Sequence, residues 1–565
     1  MRKLVSIILL FLPLWVNGQS NGWLLNFGSQ GSDRATAITE DKFGDIITAG
    51  IINDTVIFTW GGINYTLFPW RGNCFIIKQD LNGQLIWLRH IGGAGSVNVQ
   101  DVDTDAHGNF YLTGSFRDTA DFNPTSNNFD LISNGSKEDI FVAKYDTWGN
   151  FIWAKSIGGL GFDFASTIKI DNDSNVFIAG AYEGAIDFDP GANVHQVNGS
   201  SVQDAFVLKL DYAGNFELVY QFGGIGVDFC SDFEVDSHGN LFLTGAFQNQ
   251  VDFNPNSSID TLSSIGNLDA YLIKIDSAFT FQWVKRVGGS MQDVALALEL
   301  DNMHKIYLVG TFEGSCDFDP GIGINQLIAN NKQDGFVLKL DSLGNYLWVN
   351  KIGGKEDDQV VDVAVDQLYN VYVTGLFGDT VDFNRDTAVL FNLIAQGNYD
   401  HYIHQLDSVG AFSWVQQYSG SVSSNSNKIL IDSKNNLYAT GGFEGTVDFD
   451  PTTGINNKTA VGQQDVFIQR IKLNTVVGFS TMSQLAAEDI EIYPNPSQGI
   501  VHVELKERYN EIQVRVFDIT GSLIKEFDIE DSNSFTIDIE GERGLYIIEV
   551  ILNGSLRKIV KVLKK

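Results

Sequence analysis

The 565-residue chain carries 37 Lys and Arg against 70 Asp and Glu, a formal net charge of −33. Like charge repels phosphate backbones and anionic lipid, which excludes nucleic acid and acidic membrane surfaces as partners and leaves cations, neutral glycans and basic proteins. With 44% hydrophobic and 12% aromatic residues the chain can bury large cores, and its length implies more than one domain.

In chain order, Arg2 and Lys3 precede an apolar run to Val16, followed by Asn17-Gly18. This is the pattern of an export signal over residues 1–18, with the mature chain starting near Gln19. No later stretch offers about 18 uninterrupted apolar residues, so no transmembrane segment is expected.

From residue 19 to residue 474 one unit repeats. Asp-Phe-Asn/Asp-Pro begins at Asp121, Asp187, Asp252, Asp317 and Asp448, with Asp382-Phe383-Asn384-Arg385 in the remaining slot; the steps are 66, 65, 65, 65 and 66 residues. A weaker copy, Val56-Ile57-Phe58, lies one period upstream and makes seven. A second marker is an aromatic strand ending in Gly-Gly, as in residues 87–93, 153–159, 283–289 and 348–354. Within the third copy, residues 165–170, 175–180, 204–210 and 216–222 read as four short strands. Asp-x-x-Gly-Asn joins strands in pairs (Asp105 to Asn109, Asp146 to Asn150, Asp211 to Asn215, Asp236 to Asn240). There Gly supplies a left-handed residue and Asp bonds nearby backbone N–H groups, which predicts tight antiparallel hairpins. Four strands repeated seven times predict an all-β, seven-bladed β-propeller of about 65-residue repeats. Residues 22–28 form a fourth strand without a third, and residues 465–473 a third without a fourth, so pairing the two ends would close the ring and remove two open edges.

Gly158 to Ala165 (Gly-Gly-x-Gly-x-Asp-x-Ala), Asp236 to Gly245 (Asp-x-x-Gly-Asn-x-x-x-Thr-Gly) and Asp204 to Asp211 (Asp-Ala-Phe-Val-x-Lys-Leu-Asp) resemble the bacterial seven-bladed β-propeller repeat family abbreviated SBBP. The resemblance implies the fold and no settled activity.

Residues 475–487 read as a linker, and residues 488–565 as a small β-sandwich with strands at 501–505, 513–519, 534–539, 545–552 and 556–562. Tyr493-Pro494-Asn495-Pro496 with Gly499, Asp518 and Gly521 within Val-Phe-Asp-Ile-Thr-Gly, Gly544-Leu545-Tyr546, and the basic end resemble the type A C-terminal sorting domain of the type IX secretion system. That resemblance implies export across the outer membrane by that machinery, to a secreted or surface-attached state. This tail has 10 Lys and Arg against 15 Asp and Glu and the leader adds two positive charges, so −33 − 2 + 5 leaves about −30 on the repeats.

No catalytic constellation emerges. The eight His are scattered, with His107 and His238 in hairpin turns, and Cys74, Cys230 and Cys316 read as buried small hydrophobes. The repeated Lys78, Lys144, Lys209, Lys274 and Lys339 read as structural partners of turn Asp residues. Asp101, Asp103 and Asp105 alternate like part of a calcium loop but lack its glycine and glutamate positions. The repeated acids are the more telling feature: Asp33, Asp163, Asp228, Asp293 and Asp358 precede first strands, and Asp139, Asp204, Asp269, Asp334, Asp400 and Asp465 open third strands, with Asn73 in the seventh. They read as caps of their own turns; as a ring, Asp163, Asp228, Asp293, Asp358, Asp204, Asp269 and Asp334 are the candidates for holding a metal, with calcium the possible ion. The expectation is a monomeric, non-catalytic binding or adhesion module for a glycan or protein ligand. The alternative is a carbohydrate-active hydrolase or lyase whose carboxylates converge from different blades.

Overall fold

The computed structural model describes residues 19–67, 73–125, 127–254, 260–384, 390–420, 424–450, 454–473, 490–493, 497, 499–517, 523–539, 544–552 and 556–564. The expected signal peptide and linker lie outside them. All regular structure in the described residues is β-strand. The chain divides into two compact units, Met1–Leu473 and Asn474–Lys565.

The first unit is a propeller-like repeat of four-stranded antiparallel meanders. In the third copy Phe164–Ile170, Val176–Asp187, Gln196–Leu210 and Phe216–Phe222 pair in order. The second and third strands run on past the sheet as a hairpin, with Asp187 opposite Gln196. This hairpin is the surplus beyond a compact blade. Its Asp187 Oδ1 accepts the amide N–H of both Asp189 and His195 while Phe188 is buried, so Asp-Phe-Asp-Pro closes the hairpin tip and plugs it into the core.

First strands Arg34–Glu40, Ser96–Thr104, Phe164–Ile170, Phe229–Val235, Asp293–Leu300, Gln359–Val365 and Ser424–Ile431 lie side by side in that order, and the last also neighbours the first. Gln19–Phe27 pairs antiparallel with Asp465–Leu473, as the two incomplete ends require. The apolar cores sit between sheets: Leu25 and Phe27 pack with Val466 and Ile468 against Ala35, Phe75 and Ile77 of the first meander. Middle strands are therefore covered on both faces, which is why they are apolar at consecutive positions.

The aromatic fourth strands also bridge the sheets by hydrogen bonding. The indole N–H of Trp87, Trp153 and Trp348 donates to a turn carbonyl of the following copy (Thr147, Tyr212 and Ser408), and Trp23 does the same to Leu81 across the closure. Gly-Gly has a packing origin. A Cβ on Gly158, Gly223, Gly288 or Gly353 would collide with the third-strand Asp, and one on Gly159, Gly224, Gly289 or Gly354 with the hairpin backbone.

In the second unit, Ile500–Phe517 and Leu523–Asp538 are each one long strand where shorter strands are expected from the sequence. Their register shifts between Glu504 and Tyr509, so the two halves of Ile500–Phe517 pair with different neighbours, Ile490–Tyr493 and Gly544–Leu552.

Candidate functional site

Antiparallel alternation puts the first–second and third–fourth turns of every meander on one rim, and the starts of the first and third strands on the other. On the turn rim, each Asp-x-x-Gly-Asn Asp accepts two backbone N–H groups with one oxygen: Asp105 Oδ1 takes His107 and Asn109, both at 2.9 Å. Gly108, Gly149 and Gly239 have φ between 74° and 86°, and where Gly is absent Ser174, His304, Tyr369 and Asn435 take up the left-handed conformation themselves. Of the repeated Lys, Lys78 and Lys144 pair with turn Asp residues, whereas Lys209 pairs with Glu217 at 2.8 Å. Lys78 Nζ lies 2.6 Å from Asp41 and donates to Thr147 of the next copy, Lys144 lies 3.6 Å from Asp105, and Lys339, its ammonium pushed down to about 8 by burial, donates to Ser408 O at 3.0 Å.

On the opposite rim the candidate metal residues meet in pairs, one pair at each of several junctions between copies. The amide of Asp163 donates to Glu138 O, that of Asp228 to Gln203 O, that of Asp293 to Leu268 O and that of Asp358 to Gln333 O. Each first-strand Asp is thereby set beside the preceding copy's third-strand Asp139, Asp204, Asp269 or Asp334. All are buried, and their carboxylates accept backbone N–H groups: Asp163 from Gly159 and Glu183, Asp228 from Gly224 and Gln248, Asp358 from Gly354 and Gly378, and Asp139 from Asn134. Among the described residues no group of three or more His, Cys, Asp or Glu converges as metal ligands would. Cys74, Cys230 and Cys316 are free and buried.

A third set, along the inner strands, is not anticipated from the sequence. Every first strand carries a β-bulge at the same place, and Asp101, Asp232 and Asp362 follow it. Asp101 Oδ2 accepts Ile168 N–H at 2.9 Å, Asp103 accepts Ile170 at 2.7 Å, Asp232 accepts Leu298 at 2.9 Å and Asp362 accepts Ile429 at 2.7 Å. Inner strands are sheet edges with unpaired donors, and a carboxylate from a neighbouring copy satisfies them. Desolvation pushes Asp103 up to about 7 and Asp362 to about 6, while Lys169, paired with Glu234, and Lys428, 3.5 Å from Asp362, offset part of the charge. In the calcium-like run 101–105, Asp101, Asp103 and Asp105 each accept backbone N–H groups.

The sixth copy departs from the pattern. His401 and His404 occupy third-strand positions that are apolar or glycine in the other copies, apart from Gln469 at the place of His404 in the seventh; both are fully buried, and burial holds both imidazoles down to about 3. Neither ring nitrogen of His404 finds a hydrogen-bond partner among the described residues, though Phe383 and Phe412 pack on the ring. Leu208 and Leu338 stand at the same place in other copies. Replacing His404 by Leu is therefore expected to stabilise the protein by about 1–2 kcal/mol, read as a higher Tm at neutral pH. A lower Tm would show that the imidazole is satisfied.

What these bonds leave unused lies on the turn rim. Phe43, Trp148, Tyr212, Met303, Leu343, Leu368 and Val409 are large apolar side chains exposed in turns, with Trp148 and Tyr212 each 63% exposed. The turns themselves call only for Asp, Gly and Asn. Beside Phe43 a cavity of about 410 Å³ opens among Glu40, Asp41, Thr104, Asp105, Asp171 and Ser433.

In the second unit Tyr546 is buried in a core with Val501, Val514, Ile537 and Ile548. Gly499, at φ 118°, accepts the amide of Ile539, and the Tyr493 hydroxyl donates to Glu504 at 2.8 Å. Pro494, Asn495, Pro496, Asp518 and Gly521 lie outside the described residues, and Gly544 opens the strand Gly544–Leu552. The family model of the secretion system C-terminal sorting domain matches residues 491–565. Those residues are a sorting domain. The sorting domain marks the protein for export by the type IX system to the cell surface or extracellular space, and no described helix could cross a membrane.

The chain is 23% identical to an uncharacterized WD repeat-containing protein of Acanthamoeba polyphaga mimivirus, over 64% of this chain and 31% of that one. It is 24% identical to the regulatory protein FlaEY of Caulobacter vibrioides, over 69% of this chain and 41% of that one. The chain thus spans 31% and 41% of the length of these relatives. A WD-repeat relative agrees with the propeller-like meanders. Among solved structures, a fungal alcohol oxidase of the AA5 family in complex with copper aligns over 96% of this chain and 99% of its own, at 11% identity and a TM-score of 0.36. A likeness that low carries no argument about fold or activity.

Proposed function

We propose that the first unit is a seven-bladed β-propeller of the SBBP kind, acting as a monomeric, non-catalytic binding or adhesion module, and that the second is a β-sandwich whose two layers share the bent strand Ile500–Phe517. The sorting domain engages the type IX machinery and the propeller is the cargo. The observation that carries the binding reading is the set of exposed turn residues. The repeated carboxylates and lysines are taken up in capping turns and fastening neighbouring copies, whereas Trp148 and Tyr212 stand in solvent where no packing demand put them, and Phe43 lies half covered by the Lys42 and Lys78 ammonium groups. Exposed aromatic side chains grouped on one rim are the usual mark of a contact surface.

The test is to pass the secreted protein over immobilised neutral polysaccharides and basic proteins while assaying for reducing-end release. Retention without release, weakened about 10-fold in Trp148→Ala, is the expected result for loss of a stacking contact. Release of reducing ends would replace the binding reading with a hydrolase or lyase. Undiminished retention of Trp148→Ala would move the contact off this rim.

A further inference from the structure

At four junctions the buried Asp pairs leave a carboxyl oxygen without a hydrogen-bond partner among the described residues, Oδ1 of Asp139, Asp204, Asp334 and Asp465, all third-strand residues, while at a fifth the Cys316 thiol meets Asp293. The pairs are tight. Asp163 takes the amide of Gly159 while Asp139 lies against the bare Cα of Gly158, so the two carboxyls flank adjacent residues of one strand. The same holds for Asp228 and Asp204 at Gly224 and Gly223. Across the closure Asp33 N–H donates to Gln464 O beside Asp465, which lies against Gly28.

The copies differ in what faces the pair from the fourth strand. Opposite the second residue after the third-strand Asp stand Arg286 and Lys351 in two copies, and Ser156, Gln221 and Asn26 in three others. Arg286 lies 3.5 Å from Asp269 and Lys351 3.0 Å from Asp334. From the fourth strand Asp139 meets the Ser156 hydroxyl, at 3.4 Å, and no cation among the described residues. The remaining neighbours add no counter-charge. Glu183 and Tyr182 face Asp163, Tyr182 also faces Asp204, Tyr271 faces Asp228, and Asp54 faces Asp33; Arg117 is taken up by Glu138 at 3.7 Å.

We propose that the Asp139/Asp163, Asp204/Asp228 and Asp33/Asp465 junctions each hold one proton between their two carboxyl groups, filling the place that Arg286 and Lys351 fill elsewhere, so that the ring is fastened more firmly in mild acid than in alkali. Two carboxylates side by side out of water cannot both keep their charge without a cation. Burial first, and then the neighbouring Asp, pushes Asp139 up to about 7; burial brings Asp163, Asp228 and Asp465 to about 6 and raises Asp33 and Asp204. Burial also takes Asp293 and Asp358 to about 7, with Arg286 and Lys351 lying against their third-strand partners Asp269 and Asp334, so what separates the junctions is the geometry of the cation and not the size of the shift. A carboxyl raised above its unfolded value near 4 adds stability that is complete below about pH 4 and is lost as pH rises through 6 to 7. The buried His401 and His404 act oppositely, removing stability below about pH 6.5.

Asparagine separates the junctions from all other titrating groups. In Asp139→Asn, Asp204→Asn and Asp465→Asn the oxygen that accepts Asn134, Ser200 or Val461 N–H is retained, and an amide donor stands where the orphaned Oδ1 was. The mature chain carrying all three is compared with the native chain by thermal melting at pH 5 and pH 8. The expected result is that the variant melts on the order of 5 °C higher at pH 8 and gains nothing at pH 5. A variant lowered equally at both pH values, or lowered more at pH 8, would overturn the proposal. As a second measurement, the single Asp139→Asn chain is compared with the native chain by infrared spectroscopy at neutral pH. Loss of absorbance from a protonated carboxyl C=O is expected, and an unchanged band would overturn the assignment at that junction.

Discussion

A chain lacking residues 488–565 is expected to fold its repeats, cross the inner membrane and stop in the periplasm, with surface display reduced to background. The sorting domain lies in its own compact unit with its own core, in which Val501, Val514, Tyr546 and Val550 pack on one another. The first unit has its edges paired to itself through Gln19–Phe27 and Asp465–Leu473. Removing one unit therefore takes no strand from the other's sheets, and autonomous folding is the ordinary consequence. Fractionation of cells, with protease shaving to report surface exposure, gives the readout. Normal display of the truncated chain would show that the export address lies elsewhere. A milder variant separates a lost address from a misfolded tail. Tyr546→Ala opens a cavity in the sorting domain core and is expected to lower display while the repeat unit retains its melting transition, at a local cost of about 3–5 kcal/mol.

How much of this was legible in the sequence depended on the range of the interaction. Asp-x-x-Gly-Asn declared its hairpins because Asp105 bonds residues two and four positions on, and the left-handed glycine lies between them. The 65-residue step gave the repeats and the pairing of the two ends. Gly-Gly was visible as a marker but not as a cause, since Gly158 meets Asp139 and Gly159 meets Ala185 only once strands and hairpin are assembled. The role of Asp101 was hidden for the same reason. Its partner Ile168 is 67 residues away, and what it satisfies is an edge donor that exists only when neighbouring copies are side by side. The acidic rows stand out in the sequence by their period, yet their meeting in pairs follows from amides such as that of Asp163 reaching back to Glu138. The exposed turn residues carried no signal, because a turn tolerates Trp148 as readily as Ala213.

A chain that begins at Gly28 is expected to melt on the order of 10 °C below one that begins at Gln19, and to associate with itself. Gln19–Phe27 is the only fourth strand that Asp465–Leu473 has among the described residues, and it pairs from end to end apart from a bulge at Gly22. It buries Leu25 and Phe27, 1% and 3% exposed, in a core shared with the first meander, and carries the indole bond from Trp23 to Leu81. Full burial of the two apolar side chains contributes about 3–6 kcal/mol and each backbone hydrogen bond about 1 kcal/mol, so the strand outweighs any single side chain elsewhere in the ring. Without it, Asp465–Leu473 becomes an open edge, and the first meander loses the surface that covers Ala35 and Phe75. Leu25→Asp in the intact chain is expected to move the Tm in the same direction, because it places an unpaired charge in that core. Supplying residues 19–27 as a separate peptide should restore part of the loss in proportion to its concentration, since it binds only the folded state. A melting curve unchanged by the deletion, or a deletion the peptide cannot rescue, would mean that the ring is not held shut by this strand.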